Sequence, residues 1–254
     1  MHKINVVNNK IIPFDDDSIM IDNDSLIFLD SGDYVIEYIE CNNIEINFNI
    51  KNNLCIQLFE FSNNNSISLK ATYNLDKSAS LIINKFYSNE NTDETVNVYL
   101  KETKANIKYN FSSIGNKNDK YNINIYHLAK ETRSDIFNRT VARKGSINIF
   151  DINSYVENGV CKCFLNQSTK IITLGESINK INPNMFIAEN STTATHSSVI
   201  GNMRKDELFY LMSRGITYKS AINLIVKGLI ISNINPNIEM KEKILNILEK
   251  LGGE

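Results

Sequence analysis

The sequence predicts a mainly β body followed by a small helical tail, and three observations support that fold class. From Ile44 onward, apolar residues alternate with polar ones at a period of two, as in half-buried strands. Asn-rich breaks such as Asn63–Asn65 separate these segments and indicate turns. After Ile200 the apolar spacing changes to that of helices.

The predicted strands are short, roughly five to eight residues, and recur roughly every ten to fifteen residues. The clearest runs are Ile44–Ile50, Leu54–Leu58, Ile67–Ala71, Val96–Leu100, Ala105–Phe111 and Ile123–Ile125. A sandwich, a barrel and a β-helix all fit this spacing. Two segments, Cys55–Phe61 and Leu81–Ile83, are apolar on both faces, which indicates strands covered on both sides or a stacked coil.

The tail is predicted to hold three helices. Asp206 and Glu207 favour the start of the first helix, and Gly215 ends it. Thr217 is expected to cap the second helix, and Asn235–Pro236 to open a third that ends at Gly252–Gly253. The apolar face predicted for the second helix consists of Ala221, Leu224, Ile225, Gly228 and Leu229.

These helices cannot bury all their apolar surface among themselves, so they are expected to pack on the body or on a partner. We predict a β body over residues 1–200 and a helical domain over residues 201–254.

Charge and composition narrow the function classes. With 27 basic and 29 acidic residues, the chain has a formal net charge of −2, which gives no electrostatic reason to expect nucleic-acid or membrane partners. No signal-peptide h-region or membrane-spanning run is evident, and four cysteines suit a reducing compartment, so we expect a cytoplasmic protein. Asn and Ile each make up about 15% of the chain, which AT-rich coding explains in large part.

The five arginines all lie between Arg133 and Arg214, although lysine is far more common in this chain. Such clustering indicates a region that needs the planar guanidinium for buried or bidentate pairing. More internal salt bridges in that region would explain it equally well.

Cys161-Lys162-Cys163 is the most suggestive local motif. On a strand, residues i and i+2 share one face about 6.6 Å apart. That separation makes a mutual disulfide unfavourable but suits two thiolates that reach one metal ion or cluster. The alternative is two small buried hydrophobic side chains.

The histidines carry different expectations. His196 lies in a polar stretch and, as a neutral imidazole, is a candidate iron ligand. His127 is expected to be a hydrogen-bonded strand residue, and His2 to be disordered at the terminus. No nucleophile–base triad, Gly-x-Gly-x-x-Gly or Walker loop occurs, so we expect no enzyme activity and no nucleotide bound to this chain.

Several segments together resemble a known family. The run ELFYLMSRGI over Glu207–Ile216 resembles the C-terminal signature of the SufB/SufD family of iron–sulfur cluster assembly scaffolds. Leu174–Glu176 is similar to that family's short Leu/Ile-Gly-Asp/Glu turn. Pro183 and His196 resemble its Pro-to-His segment, and His127 resembles an earlier His-and-Ser region. The resemblance covers residues 127–231.

The resemblance implies a right-handed parallel β-helix with a C-terminal three-helix tail. It also implies a dimer, formed with a second copy or with a SufB-like paralogue, that docks a SufC-like ABC ATPase and works with a sulfur donor. A transient iron–sulfur cluster would be its cargo, with Cys161, Cys163 and His196 as candidate ligands. The residues expected to face the ATPase are Leu208, Phe209, Leu211, Arg214, Gly215 and Ile216.

The chain also departs from the family pattern. Thr169 stands where SufB-type members carry a cysteine. In this respect the chain resembles the SufD type or a compact single homologue of the family. Two alternatives therefore stay open. One is a dimerisation subunit without cluster chemistry, and the other is a β-helix carbohydrate-active protein, which would need paired carboxylates on a solvent-facing stack.

Overall fold

Seventeen strands and three helices make up the part of the chain described by the computed structural model, residues 2–12 and 17–251. The strands are β1 (His2–Val7), β2 (Lys10–Ile11), β3 (Ile19–Asp22), β4 (Ser25–Phe28), β5 (Gly32–Ile39), β6 (Asn43–Ile50), β7 (Cys55–Ser62), β8 (Ser66–Leu75), β9 (Ser80–Tyr87), β10 (Asn91–Leu100), β11 (Asn106–Gly115), β12 (Asn118–His127), β13 (Arg133–Ala142), β14 (Ile147–Val156), β15 (Phe164–Thr173), β16 (Ile178–Ile187) and β17 (Thr193–Asn202). The helices are α1 (Lys205–Ser213), α2 (Tyr218–Ile231) and α3 (Ile238–Leu251).

Successive strands alternate between two sheets and form a parallel β-solenoid of about six turns. From β4 onward each strand pairs in parallel with the strand two places later in the chain. One sheet has nine strands and ends at β17, and the other has eight strands and ends at β16. Of the three architectures that the strand spacing allowed, the structure is the stacked coil.

The solenoid interior explains where the isoleucines go. Inward positions of both sheets form one buried apolar cluster that runs from Ile4 to Ile171 and includes stacked rings such as Phe48 and Tyr73. Because paired residues sit in register from coil to coil, like side chains stack on like along the axis.

Asparagine is used on the strands as well as in the breaks. Asn97, Asn124, Asn153 and Asn184 occupy one register position on four successive strands of the eight-stranded sheet. The side-chain amides of the last three each donate to the amide oxygen of the preceding asparagine at 2.9–3.1 Å. Coding bias supplies the residue, and the stacked coils give it a hydrogen-bonding role.

The helices pack on the outside of the nine-stranded sheet. Val226 and Ile230 of α2 and Ile244 of α3 are buried against outward-facing apolar residues of that sheet, among them Phe59 and Phe86. This confirms cover on both faces for the second half of the segment Cys55–Phe61, whereas Cys55 and Gln57 at its start are exposed. It also shows that α2 and α3 pack on the body, whereas α1 buries none of its residues.

Several local predictions hold and others are wrong. Gly215 ends α1 with a φ of +83°, and Thr217 Oγ1 accepts the backbone N–H of Ser220 at the start of α2. The predicted face of α2 is rotated, because Leu224 is half exposed while Val226 and Ile230 are buried.

Helix α3 begins two residues after Pro236, where Asn237 Oδ1 accepts the backbone N–H of Met240. Its predicted end at Gly252–Gly253 lies outside the described residues. His2 is ordered in β1, with its ring stacked 4.9 Å from that of Tyr34.

Candidate functional site

The solenoid is open at its C-terminal end, where β16 and β17 are the last strands of their sheets. Each has a paired neighbour on one side and none on the other among the described residues. Large apolar side chains on these two strands are more than a third exposed: Ile178, Phe186, Ile187, Val199 and Ile200. An unpaired, apolar strand edge is a ready template for another chain.

His196 lies on this open end. Strand β17 pairs in register with β15, which sets His196 beside Gln167. Gln167 is buried inside the solenoid and donates from Nε2 to Ser154 Oγ at 2.9 Å. Because paired residues of neighbouring strands face the same side, His196 points in the same direction. It is exposed because no further coil covers it.

Thr169 is two residues along β15 from Gln167 and is also buried. Its Oγ1 accepts a hydrogen bond from Asn138 Nδ2 at 3.0 Å, and it lies beside Ser198 of β17. The position where SufB-type members carry a cysteine is therefore an interior position next to the open coil, and here it offers a hydroxyl instead of a thiol.

Cys161 and Cys163 do not lie on a strand, so the prediction that they share a strand face is wrong. They occupy the corner before β15, where Lys162 has a left-handed φ of +59°. The backbone N–H of Lys162 donates to Ser191 Oγ in the next corner at 3.0 Å. This turn sends Cys163 into the interior, 2% exposed, and leaves Cys161 partly exposed.

Cys163 joins a short chain of buried hydrogen bonds. Its Sγ lies 3.3 Å from Thr132 Oγ1, which in turn lies 2.8 Å from His127 Nδ1. His127 Nε2 is bonded to Ser134 Oγ at 2.9 Å. Burial lowers the pKa of His127 to about 3, so the imidazole is neutral at physiological pH. His127 is the hydrogen-bonded strand residue that the sequence predicted.

The structure does not bring the three candidate ligands together. Phe164 pairs with Thr193, so Cys163 is about four residues along the strand direction from His196, on the order of 13 Å. Among residues 2–12 and 17–251, no three histidine, cysteine or acidic side chains are grouped as a metal site. Any cluster held by these residues would need further ligands.

The residues expected to face an ATPase lie on α1 and the turn after it. This helix buries none of its residues, and Phe209 is 75% exposed. The guanidinium carbon of Arg214 lies 5.3 Å from the ring centroid of Tyr210, which is itself exposed. Leu208 and Leu211 are partly buried and face inward.

The other arginines use the geometry of the guanidinium in different ways. Arg139 Nη1 donates to the carbonyl oxygens of Asn138 and Ser168 at 2.8 and 3.0 Å, and burial lowers its pKa. Arg133 stacks on Phe164 at 4.0 Å. Arg204 pairs with Asp206 on the surface.

The structure contains a buried ionic cluster that the sequence did not lead us to predict. Lys85 Nζ lies 3.2 Å from Glu60 Oε2 and 2.9 Å from Glu94 Oε1, and all three side chains are buried inside the solenoid. Tyr38 and Tyr73 donate to Glu60, and Tyr87 donates to Glu94. Burial acts to lower the pKa of Lys85, but the two carboxylates raise it above its ordinary value.

The sequence does contain a pattern that indicates this cluster. Glu60 interrupts an apolar run, and Lys85 follows another. A charged residue in a strand that is covered on both faces has to find a buried partner.

Comparison with known proteins points to one family. The family model described as SUF system FeS cluster assembly, SufBD core domain, matches residues 38–229. The iron–sulfur cluster assembly protein SufD of Bacillus subtilis is 26% identical over 162 residues, which cover 63% of this chain and 37% of that protein. A SufBD family protein of Galdieria sulphuraria is 27% identical over 103 residues, 40% of this chain and 47% of that protein.

The aligned part of the chain thus spans less than half of these relatives. The family match starts in β5, far upstream of residue 127, where the resemblance from the motifs began. It ends in α2, close to residue 231, where that resemblance ended. No helix in the described part of the chain is long and apolar enough to cross a membrane. Because the family model covers most of the chain, this protein belongs to the SufB/SufD family of SUF-system iron–sulfur cluster assembly proteins.

Proposed function

We propose that this protein is a non-catalytic scaffold subunit of a SUF-type iron–sulfur assembly complex. It pairs through the open end of its solenoid, with a second copy or with a SufB-like paralogue. It docks a SufC-like ABC ATPase through α1, and it receives sulfur from a donor protein to build a transient cluster. Its four free cysteines suit the cytoplasm.

The observation that carries the pairing is the exposed edge of β16 and β17. Parallel strands elsewhere in the solenoid are paired on both sides, whereas β16 and β17 are each paired on one side only among the described residues. Phe186 of β16 and Val199 of β17 are 54% and 53% exposed. Pairing would cover these side chains and complete the backbone hydrogen bonds of both edges. It would also bring a second set of side chains to His196, which supports a shared cluster site.

The docking proposal is supported by α1. A helix without a buried residue is held weakly by its own fold, and Phe209, Tyr210 and Met212 expose apolar area that a partner would cover. Arg214 adds a guanidinium beside this area.

Pairing is tested by light scattering on the purified chain, alone and with a SufB-like paralogue. We expect Val199→Lys to abolish the pair. Met20→Lys is the matched control, since Met20 is similarly exposed. It lies on β3, the strand of the eight-stranded sheet that is farthest from β16. A pair that survives Val199→Lys and is lost with Met20→Lys would assign the interface to the other end.

Docking is tested by co-purification with the ABC ATPase of the same SUF system. Phe209→Glu should lose the ATPase. Ile238→Glu, at the start of α3 and 81% exposed, should retain it. Equal recovery with both variants would remove α1 from the interface.

Cluster building is tested by anaerobic reconstitution with iron and sulfide. We expect His196→Ala to weaken the cluster absorption of the pair, and Cys161→Ser to weaken it more than Cys163→Ser because Cys163 is buried. Absorption that stays the same in all three variants would remove these residues from the cluster site. A native chain that pairs but shows no cluster absorption would favour the second candidate. That candidate is a dimerisation subunit without cluster chemistry, and the buried Thr169 supports it.

A further inference from the structure

A large cavity lies between the end of the solenoid and the helices. It has a volume of about 910 Å³, within the range of small-molecule sites. One wall is the turn Leu174–Glu176 together with Arg143 and Lys144 from the preceding coil. The opposite wall comes from the first turns of α1 and α2.

The charge of this cleft is strongly one-sided. Among the residues that the structure describes, four cationic side chains line it, Arg143, Lys144, Lys205 and Lys219, against the single carboxylate of Glu176. The chain as a whole is slightly acidic, so this is a local concentration of positive charge. Within residues 2–12 and 17–251, none of the three lysines forms an ion pair.

Two helix N-termini also border the cleft. Lys205 is the first residue of α1, and Tyr218 and Lys219 are the first residues of α2, and all three line the cleft. Arg204 gives α1 no side-chain cap, but the first turn carries Asp206 and Glu207, and the Asp206 carboxylate accepts backbone N–H groups of that turn. At α2, Thr217 Oγ1 accepts the backbone N–H of Ser220. The dipole of α2 therefore adds to the positive charge of the lysines, whereas that of α1 is countered by its own acidic side chains.

The turn that carries the Leu-Gly-Glu motif shapes the cleft. Glu176 O accepts the backbone N–H of Gly145 at 2.7 Å, which holds the turn against the preceding corner. Gly175 has a φ of +150°, and a Cβ there would lie only 3.0 Å from Cβ of Lys144. The glycine therefore lets the turn close against the stem of Lys144.

The floor of the cleft is apolar. It is formed by Leu174, Met203, Leu208, Ile222 and Leu251. A ligand that fits both parts carries an anionic group for the rim and an apolar body for the floor.

We infer that this cleft binds an organic phosphate, with the phosphate among Lys144, Lys205 and Lys219 and an aromatic or aliphatic body on the apolar floor. A multiply charged phosphate makes better use of several cations than a single carboxylate does. This inference does not rest on the pairing and docking proposed above, although the cleft shares α1 with the proposed docking surface. Because Leu208 belongs to both α1 and the cleft, the ATPase is kept out of the test.

The test is isothermal titration of the full chain with 1-naphthyl phosphate, 1-naphthol and inorganic phosphate. We expect the ester to bind at least about tenfold more tightly than the neutral alcohol or phosphate alone, and its affinity to fall with added salt. The double variant Lys144→Gln/Lys219→Gln should bind the ester about tenfold more weakly. Glu176→Gln should bind it more tightly, because it removes the one opposing charge.

The matched control is Lys10→Gln/Lys77→Gln, which removes two exposed lysines that do not line the cleft. Circular dichroism melts of each variant separate lost binding from lost folding. Equal affinity of the two double variants for the ester would overturn the proposal, as would an ester that binds no better than 1-naphthol. A chain ending at Leu251 is titrated in parallel. Binding found only in that shorter chain would instead assign the cleft to residues 252–254.

Discussion

The middle coils and the last coil of the solenoid share one strand geometry but differ in what surrounds them. In the middle, Glu60, Lys85 and Glu94 are buried within a stack of tyrosines, and α2 and α3 cover one sheet. In the last coil, β16 and β17 expose apolar side chains. His196 is on the inward side of its strand and is exposed because no further coil covers it among the described residues.

This difference suggests that the middle coils stabilise the fold, while the last coil is available to bind another molecule. A charge can be buried in the middle coils only because every neighbour is fixed and can supply a compensating group. The last coil has no such neighbours on one side, so its residues are available to another molecule. Substitutions of the same kind should therefore have different effects in the two regions.

The largest effect is expected from Lys85→Met. Removing the ammonium leaves Glu60 and Glu94 buried without their cation, which should cost about 3–5 kcal/mol of unfolding free energy. The measurement is urea denaturation followed by circular dichroism. The matched control is Lys70→Met, which breaks an exposed pair with Glu45 and should cost at most about 1 kcal/mol.

If Lys85→Met does not fold, the triple variant Lys85→Met/Glu60→Gln/Glu94→Gln removes all three charges together. It should recover much of the lost stability, because no buried charge is then left unpaired. A Lys85→Met chain as stable as Lys70→Met would mean that the buried charges are not coupled.

The second prediction concerns pH and the two ends of β12. Burial raises the pKa of Asp119 to about 7, so from about pH 4 to 7 the folded chain holds a proton that the unfolded chain has lost. Rising pH then lowers the unfolding free energy. His127 acts in the opposite sense, because its pKa is lowered to about 3 and the unfolded chain holds the extra proton up to about pH 6.5.

Single variants should separate these opposing slopes. Between pH 4 and 6.5 we expect Asp119→Asn to gain stability with rising pH, relative to the native chain, and His127→Gln to lose it. Each slope should change by about 1.4 kcal/mol per pH unit. The check is urea denaturation at several pH values. Identical slopes in both variants would show that neither group titrates as its burial requires.

A smaller effect is expected when one methyl group is added to each region. In Gly115→Ala the new Cβ would lie 1.9 Å from Asn148 Oδ1, and Nδ2 of that amide is bonded to Ser146 and Asn179. We expect a loss of about 1–3 kcal/mol in thermal or urea unfolding.

Gly201→Ala in the last coil meets nothing within 4 Å and should be neutral or slightly stabilising. Equal losses at the two positions would remove the contrast between packed and open coils.

The smallest effect is expected at Thr169. Thr169→Cys replaces the acceptor of the Asn138 amide with a weaker one and should cost about 1 kcal/mol. Because the site is buried, its thiol should react with iodoacetamide more slowly than the exposed Cys55. Rapid labelling at position 169 would instead show that the open end admits small molecules to the interior.

Much of the fold could be predicted because strand and helix periods are local properties. Runs such as Ile44–Ile50 alternate visibly, and Gly215 and Thr217 mark helix ends by their own chemistry. The choice of a solenoid over a sandwich or a barrel came from family resemblance, since all three use strands of this length.

The missed features depend on contacts between coils. Lys162 turns left-handed in a corner held by Ser191, nearly thirty residues away, and no local pattern announces that turn. The face of α2 was misplaced because Leu224 and Val226 are equally apolar, and only the sheet beneath decides which is buried. Cys163 and His196 looked like one site in sequence, and the strand register keeps them apart.

The lengths of the coils also restrict how the chain can assemble. Along the eight-stranded sheet, side chains bonded between neighbouring coils are 25, 27, 29 and then 31 residues apart. In a repeat protein with equal units, one unit can take the place of the next during folding. Here a strand that paired one coil out of place would bring a connection of the wrong length and stack unlike residues. The unequal spacing therefore favours one strand register over all others, which disfavours domain-swapped and register-shifted forms.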